Sequence, residues 1–310
     1  MRKKKTPAQR KADAARRKEE RENIEFFTEE NAELVEVGRH TLHGRDCHNA
    51  MADMDDESVD LIVTSPPYAF GKQYEKGKDI AWLEDLLQGM ANQAIRVLKP
   101  SAFCFVNFPV STYFPEMNEE MYNRVFRNNA GFVFHSRRIW KKPIATLSPP
   151  PSAIRMSIPF GEVENLFTFR KPPNSPEKNI YRDLASRGAW ETPPGRTQEP
   201  KVRRGKHGAM FPLELPIMAI RVWSKPGDVV LDPFGGMFTT VLAAHHEDRI
   251  GVGCEICSTF FPDAVKRVRD YTASVLPGLD VAAIAVAAKA VQAPEQFQMD
   301  VPDGSEQNGS

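Results

Sequence analysis

The stretch Val59-Asp60-Leu61-Ile62-Val63-Thr64-Ser65-Pro66-Pro67-Tyr68 decides the fold. Val59, Leu61, Ile62 and Val63 read as a buried strand, because β-branched and apolar side chains suit a pleated surface. Pro66 and Pro67 have no backbone N–H to donate, so sheet pairing must stop there and the chain must leave the sheet. The result is a rigid turn at the carboxyl end of a strand, which is where ligands bind in open α/β sheets. Two readings remain open for this segment alone. One is an ordinary Pro-rich loop. The other is an amine-recognition rim, in which the Ser65 hydroxyl and the Pro66 carbonyl accept the N–H groups of a nucleobase amine while Tyr68 stacks on the flipped base.

Composition bounds the choices. At 310 residues the chain is long enough for a large core in one or two domains. Lys plus Arg and Asp plus Glu both number 41, so a nucleic-acid surface has to come from local patches, not from a global basic field. No stretch approaches the apolar length of a membrane span and the N-terminus is charged, so a cytosolic protein with no membrane partner is expected. Of the four cysteines, Cys254 and Cys257 form a C-x-x-C without a second pair or a His cluster at zinc spacing. They read as a buried strand thiol and a nearby loop thiol, and His245 and His246 diverge around a helix, so no metal is expected.

Around the opening strand the pattern is that of a parallel α/β sheet. Val35, Val37 and Thr41-Leu42-His43 have strand character, Gly44-Arg45-Asp46 is a turn, and Cys47 to Met54 forms a short helix. After Tyr68, apolar residues at three- and four-residue spacing predict an amphipathic helix over 81–98, closed by Lys99-Pro100. A strand over 101–107, a helix over 117–128, a strand over 132–140 and a strand over 166–169 follow. Residues 172–206 hold few aliphatics and many prolines, with Arg182, Arg187, Arg196, Lys201, Arg203, Arg204 and Lys206 among Tyr181 and Trp190. Basic groups interleaved with aromatics suit a nucleic-acid surface; a plain surface insertion fits as well. Residues 1–32 form a charged arm that serves as a solubilising tail or touches DNA phosphates, and residues 277–310 form a tail without core signal.

The second anchor lies far downstream. Val229-Val230-Leu231 is a strand ending in Asp232-Pro233-Phe234-Gly235-Gly236, a helix restarts at Phe238-Thr239-Thr240, and Ile250 to Cys254 is a strand ending at Glu255. Strand, Asp, Gly-rich turn, helix, strand, acidic residue suits a grip for a nucleotide-type cofactor, with Glu255 placed to accept hydrogen bonds from ribose hydroxyls; by itself the turn also fits a plain βα connection.

Taken together, the two anchors resemble the amino-group DNA methyltransferases that use S-adenosylmethionine, of the permuted type in which the catalytic loop precedes the cofactor loop. Thr64 to Tyr68 is similar to the family's catalytic tetrapeptide block, and Asp232 to Thr240 to its D-P-F-x-G-x-G-T-T cofactor loop. Arg96 to Pro100 followed by an aromatic strand, the His207, Phe211-Pro212 and Leu215 block, and Gly251 to Glu255 with Phe260 and Ala264 resemble further blocks in family order. The resemblance spans roughly residues 40–270. It implies a Rossmann-like α/β domain, mostly parallel in its sheet with helices on both faces, in two halves over 33–171 and 207–276, with 172–206 as an inserted target-recognition segment.

For the site it implies catalytic roles for Ser65, Pro66, Pro67 and Tyr68. Cofactor contacts fall to Asp46, Phe211, Asp232, Pro233, Phe234, Gly235, Gly236, Thr239 and Glu255, and DNA contacts to Arg182, Trp190, Arg196, Arg203 and Arg204. Serine at the first catalytic position goes in the family with cytosine N4, so the implied reaction is methyl transfer from S-adenosylmethionine to cytosine N4 in double-stranded DNA. Adenine N6 is the same-class rival, and a non-catalytic DNA-binding protein is the rival from another class. The family also implies a restriction-modification setting in a bacterial or phage-infected cell, with a cognate endonuclease as a functional partner. One residue departs from the pattern. Phe238 stands where the cofactor loop has its second glycine, and it either crowds the cofactor, shifts the loop, stacks on the adenosine or points away. Weakened cofactor binding is the expectation.

Overall fold

A computed structural model gives the fold, and it describes residues 24–68, 77–109, 119–143, 163–173, 182–192 and 212–277. In chain order the strands are β1 (Glu33–Val37), β2 (His40–Gly44), β3 (Val59–Thr64), β4 (Leu98–Pro109), β5 (Val133–Lys141), β6 (Val163–Arg170), β7 (Ala189–Glu191), β8 (Val229–Asp232) and β9 (Ile250–Glu255). The helices are α1 (Cys47–Ala52), α2 (Ile80–Val97), α3 (Glu119–Tyr122), α4 (Arg182–Ser186), α5 (Glu214–Trp223), α6 (Thr239–His246) and α7 (Phe261–Ser274). A π-helical turn, Asn123–Asn129, continues α3. The strands form one mixed sheet in the order β1-β2-β9-β8-β3-β4-β6-β5-β7, with helices on both sides.

The opening strand is central, which is why it reads as a continuous apolar run. Parallel neighbours β8 and β4 flank β3, and Leu61, Ile62 and Val63 are fully buried between two helical layers. Asp60, the one charge in that run, accepts from the Val229 N–H at 2.9 Å and pairs with Lys99 at 2.7 Å, so it ties the starts of the two neighbours to β3. Under one face of the sheet lies α2. Asp79 caps it by accepting from the Trp82 N–H at 2.9 Å, and Leu83, Leu87, Met90, Ala91, Ala94 and Val97 form its buried stripe. On the other face α5 and α6 pack against Leu61, Val63, Phe103 and Phe105, while α6 and α7 enclose a third cluster around Leu42 and Phe238.

Parallel pairing of β2, β9, β8, β3 and β4 puts their carboxyl ends along one edge. β6 runs antiparallel to β4, with Glu164 opposite Pro109, so the start of β6 reaches that same edge. β5 returns antiparallel to β6 and brings Lys141 there too.

The segment over 182–192 corrects the expectation of an insertion without core signal. β7 adds to the sheet beside β5, and Leu184 and Ala185 of α4 pack against the α5 side of the core. Trp190 is 2 % exposed, stacked on Phe105 at 5.9 Å and tilted against Trp223 at 6.0 Å. Its indole N–H donates to the Leu184 carbonyl at 3.3 Å, and the Arg138 guanidinium lies over its ring. Trp190 is therefore a core residue, not a DNA contact. In a three-residue strand the alternation turns the middle side chain inward, and Ala189 and Glu191 on either side are exposed.

Candidate active site

At the carboxyl edge the two anchors are joined by one buried hydrogen bond. Thr64, the last residue of β3, donates its hydroxyl to Asp232 Oδ1 at 2.7 Å across 168 positions of sequence. Asp232 is fully buried and takes two more donors, the Phe234 N–H at 3.1 Å and the Thr240 hydroxyl at 2.6 Å. Burial pushes its carboxyl up to about 6, against the pull of the three donors. A carboxylate so occupied has no lone pair aimed at solvent. Asp232 holds both loops from behind, and its side chain is not a surface on which a ligand rests.

Thr239 is turned inward in the same way. It is 4 % exposed, and its hydroxyl accepts from Arg267 at 3.1 Å; Arg267 also donates to the Met237 carbonyl. In the rest of the loop Pro233 and Gly235 are buried, and Phe234 and Gly236 half-buried. The Gly235 N–H donates to the Cys254 carbonyl at 2.7 Å, and Gly236, at φ +53, donates to Glu255 Oε2 at 2.7 Å. Glu255 stands at the end of β9, half-buried, with Oε1 accepting from the Cys257 N–H at 2.7 Å. Burial pushes its carboxyl up to about 7, while the two backbone donors pull it down. Pro233 and Phe234 complete the turn, Phe234 half-buried on the α2 side of the core.

Phe238 settles into the interior. It adopts φ +56, the left-handed conformation that glycine takes without cost, and its ring is fully buried edge-on to Phe261 at 5.9 Å. A Cβ on Gly235 or Gly253 would come within 2.5 or 2.6 Å of that ring, so these two glycines form its socket. The side chain points away from the loop's outer face, the last of the placements open to this position.

Asp46 lies next to this strand, since Gly44 pairs with Glu255 and the Arg45 N–H donates to the Glu255 carbonyl at 3.1 Å. Its carboxylate caps α1 by accepting from the His48 N–H at 2.8 Å, and it pairs with His48 Nδ1 at 3.1 Å. That bond holds Asp46 below, and His48 above, their ordinary values. His48 Nε2 donates to the Leu86 carbonyl at 3.1 Å, so both ring nitrogens are donors. Asp46, Cys47 and His48 have ligating atoms within 4.8 Å of one another, but a doubly donating His and a Cys47 thiol pushed up by burial are poor ligands for a metal.

On the other rim, Ser65 is half-buried and its hydroxyl lies 2.6 Å from Tyr68 Oη. Pro66 is buried and Pro67 half-buried between them. Tyr68 Oη donates to Glu164 Oε2 at 3.2 Å. Burial, then the charge of Glu164, pushes the Tyr68 phenol well above its ordinary value, so it stays a neutral donor. Asn107 Nδ2, from β4, reaches Glu164 Oε2 at 2.9 Å, Tyr68 Oη at 3.0 Å and Ser65 Oγ at 3.4 Å. Lys142, just past β5, caps the other Glu164 oxygen and lies over the Trp140 ring.

Sequence reasoning missed Asn107, Glu164 and Lys142 as members of this cluster. A polar residue closing the aromatic run 101–107 was a usable signal for Asn107. Glu164 was not, because it stands at the start of a strand whose antiparallel direction the sequence does not encode. Of the remaining expected residues, Arg182 lies in α4, while Phe211, Arg196, Arg203 and Arg204 lie outside the described residues, as does His207.

Comparison with known proteins adds independent findings. The N6_N4_Mtase family profile, described as DNA methylase, matches residues 59–266. Type II methyltransferase M.BglI of Bacillus subtilis is 26% identical over 293 residues, covering 70% of this chain and 82% of that protein. DNA adenine methyltransferase YhdJ of Escherichia coli (strain K12) is 28% identical over 239 residues, covering 68% and 76%. Among solved structures, TTHA0409 of Thermus thermophilus, described as a DNA modification methylase and complexed with S-adenosyl-L-methionine, aligns at TM-score 0.53 and 26% identity. That alignment covers 76% of this chain and 98% of that one. The cytosine-N4-specific PvuII DNA methyltransferase shares the fold at TM-score 0.62 and 23% identity, covering 74% and 86%.

Proposed function

Because the chain belongs to the DNA methylase family matched over residues 59–266, we propose that it transfers a methyl group from S-adenosylmethionine to cytosine N4 in double-stranded DNA. The observation that carries this reading is the Thr64–Asp232 hydrogen bond, which fixes the Ser65 loop and the Asp232 loop side by side at one sheet edge. A methyl donor held by one loop then faces an amine held by the other.

The residues fit the cofactor. Glu255 keeps lone pairs beyond the two backbone donors, and a carboxylate at the end of β9 suits a pair of ribose hydroxyls. The turn from Pro233 to Gly236 lies beside it, with Asp46 on the adjoining strand end. Bound there, S-adenosylmethionine supplies a methyl group already activated by its sulfonium, so the protein's task is orientation. Ser65 Oγ and the Pro66 carbonyl accept the N–H groups of the target amine and turn its lone pair toward the methyl carbon; the Tyr68 ring steadies the flipped base. No covalent adduct with the base is needed, in keeping with the four buried thiols. Arg182, Arg196, Arg203 and Arg204 serve DNA phosphates in this reading, and a cognate endonuclease remains a functional partner to look for.

Adenine N6 is the second reading, favoured by the similarity to the E. coli adenine methyltransferase. The two separate cleanly. DNA methylated by the protein from labelled S-adenosylmethionine is digested to nucleosides and weighed. N4-methylcytosine is expected, N6-methyladenine would replace the first reading with the second, and no labelled DNA would refute both.

A further inference from the structure

The polar cluster behind Ser65 has a direction, and that direction comes from Glu164. Resting on the amine-methylation reading above, we propose that Glu164 is a positioning residue that makes Ser65 an acceptor toward the target amine. It does so by polarising the hydrogen-bond chain Ser65–Tyr68–Glu164. A serine hydroxyl by itself donates or accepts equally well. To draw an amine nitrogen toward tetrahedral geometry it must accept, so its hydrogen has to be committed elsewhere.

The geometry commits it. A carboxylate has no hydrogen, so at 3.2 Å the bond between Tyr68 Oη and Glu164 Oε2 runs from the phenol to the carboxylate. With its own hydrogen spent, Tyr68 Oη can only accept from Ser65, and the 2.6 Å contact must be Ser65 donating. Asn107 Nδ2 reinforces this direction, because it too donates to Glu164 and to Tyr68 Oη. Its one contact with Ser65, at 3.4 Å, is long, so Ser65 Oγ retains a lone pair for the substrate.

The orientation of the Asn107 amide carries a cost that this arrangement accounts for. Asn107 Oδ1 is buried with no partner among the described residues. Turning the amide over would free that oxygen from its orphan position, yet it would aim Oδ1 at the Glu164 carboxylate. Leaving one buried acceptor unmade is the lesser penalty than facing two acceptors together. Lys142 completes the set by occupying Oε1, which leaves Oε2 for Tyr68 and Asn107.

A near-isosteric substitution reverses the chain. In Glu164→Gln, Lys142 selects the amide oxygen, so the NH2 group falls where Oε2 was and donates to Tyr68 Oη. The Asn107 amide turns over, so that two NH2 groups do not face each other. Tyr68 Oη then no longer spends its hydrogen on residue 164 and can donate it to Ser65, which releases the Ser65 hydrogen toward the amine. Steady-state methylation of duplex DNA by the full chain, with labelled S-adenosylmethionine, tests this. Glu164→Gln is expected to lower kcat on the order of ten- to a hundredfold, with KM for cofactor and DNA held within about twofold. Tyr68→Phe, which breaks the chain at its middle link, should do likewise. The double variant should be no slower than Tyr68→Phe, because once the link is gone the identity of residue 164 no longer reaches Ser65.

Full kcat in Glu164→Gln or in Tyr68→Phe overturns the proposal, as does a double variant that multiplies the two losses. Tyr68→Phe keeps the test available should Glu164→Gln not fold. A parent chain that transfers no methyl group fails at the underlying reading and takes this inference with it; an active parent with an equally active Glu164→Gln fails here alone.

Discussion

Replacing Asp232 by Asn should make the protein more stable at pH 8 and leave it nearly unchanged at pH 4.5. Asp232 is fully buried, and its carboxyl is pushed from the ordinary 3.8 to about 6. Because the folded pKa lies above the unfolded one, the folded chain binds this proton more tightly. Stability from that proton is full below pH 3.8 and is lost as pH rises through 6. A shift of about two units corresponds to about 3 kcal/mol at neutral pH and above. Asn keeps an oxygen for the Thr64 hydroxyl and the Phe234 N–H. The Thr240 hydroxyl already lies 3.3 Å from the Val63 carbonyl and can donate there while accepting from the new amide. Few bonds are lost and a buried charge is removed, so a gain of about 1–3 kcal/mol at pH 8 is expected. Urea unfolding of parent and variant at both pH values measures it. Glu255 shifts in the same direction, but it is present in both proteins, so the difference between them isolates Asp232. An equal stability difference at the two pH values would refute the reasoning, since it would mean that Asp232 ionises inside the fold without penalty.

Three further outcomes can be measured. Phe238→Gly empties the socket made by Gly235 and Gly253, at about 3–5 kcal/mol for a buried Phe, and relieves a left-handed backbone at about 1 kcal/mol. A net loss of about 2–4 kcal/mol is expected, with calorimetric affinity for S-adenosylmethionine within about twofold of the parent; a large gain in affinity would contradict the inward placement. Trp190→Ala should cost about 3–5 kcal/mol in denaturant while leaving the salt dependence of DNA binding as it was; a stable variant with a flattened salt slope would return Trp190 to the DNA surface. His40 behaves oppositely to Asp232. Burial, then His245, lowers its pKa to about 4, so its contribution is full above pH 6.5 and fades as pH falls toward 4, by up to about 3 kcal/mol. His40→Gln should unfold with a shallower acid slope between pH 7 and 4.5, and an unchanged slope would assign the loss to other groups.

Much of the fold was legible because the central strands are buried on both faces and so carry unbroken apolar runs. Val59 to Val63 and Val229 to Leu231 needed no partner information to be read, and the prolines and glycines after them marked where each strand had to end. The edge of the sheet was less legible. β7 contributes a single inward side chain, Trp190, and one aromatic among prolines and arginines looks the same whether it faces a core or a base. At the site, the loops were legible and their supports were not. Thr64 and Thr240 are small polar residues inside apolar runs, and only the parallel adjacency of β3 and β8 turns them into a clamp on Asp232. Glu164 depends on strand direction, and Phe238 on a socket formed by two glycines eighteen positions apart.

Asp232 and Glu164 do related jobs from opposite sides of Ser65. Asp232, by accepting from Thr64, fixes where the Ser65 loop leaves the sheet relative to the Gly235–Gly236 turn. Glu164, by accepting from Tyr68, fixes which way the Ser65 hydroxyl points. In both cases a side chain without a hydrogen of its own imposes direction on neutral hydroxyls, one through Thr64 and the other through Tyr68. Neither carboxylate needs to touch a substrate to do this. For Asp232 the arrangement has a stability cost, because its carboxyl is raised by burial and is ionised at neutral pH only against that burial. Such a cost is expected where a residue holds a site in place, and natural proteins break packing rules most often at sites that must be held in one geometry. The arrangement also explains how two loops 168 positions apart in sequence form one rim. A parallel sheet brings their strand ends together, and one buried hydroxyl–carboxylate bond keeps them there.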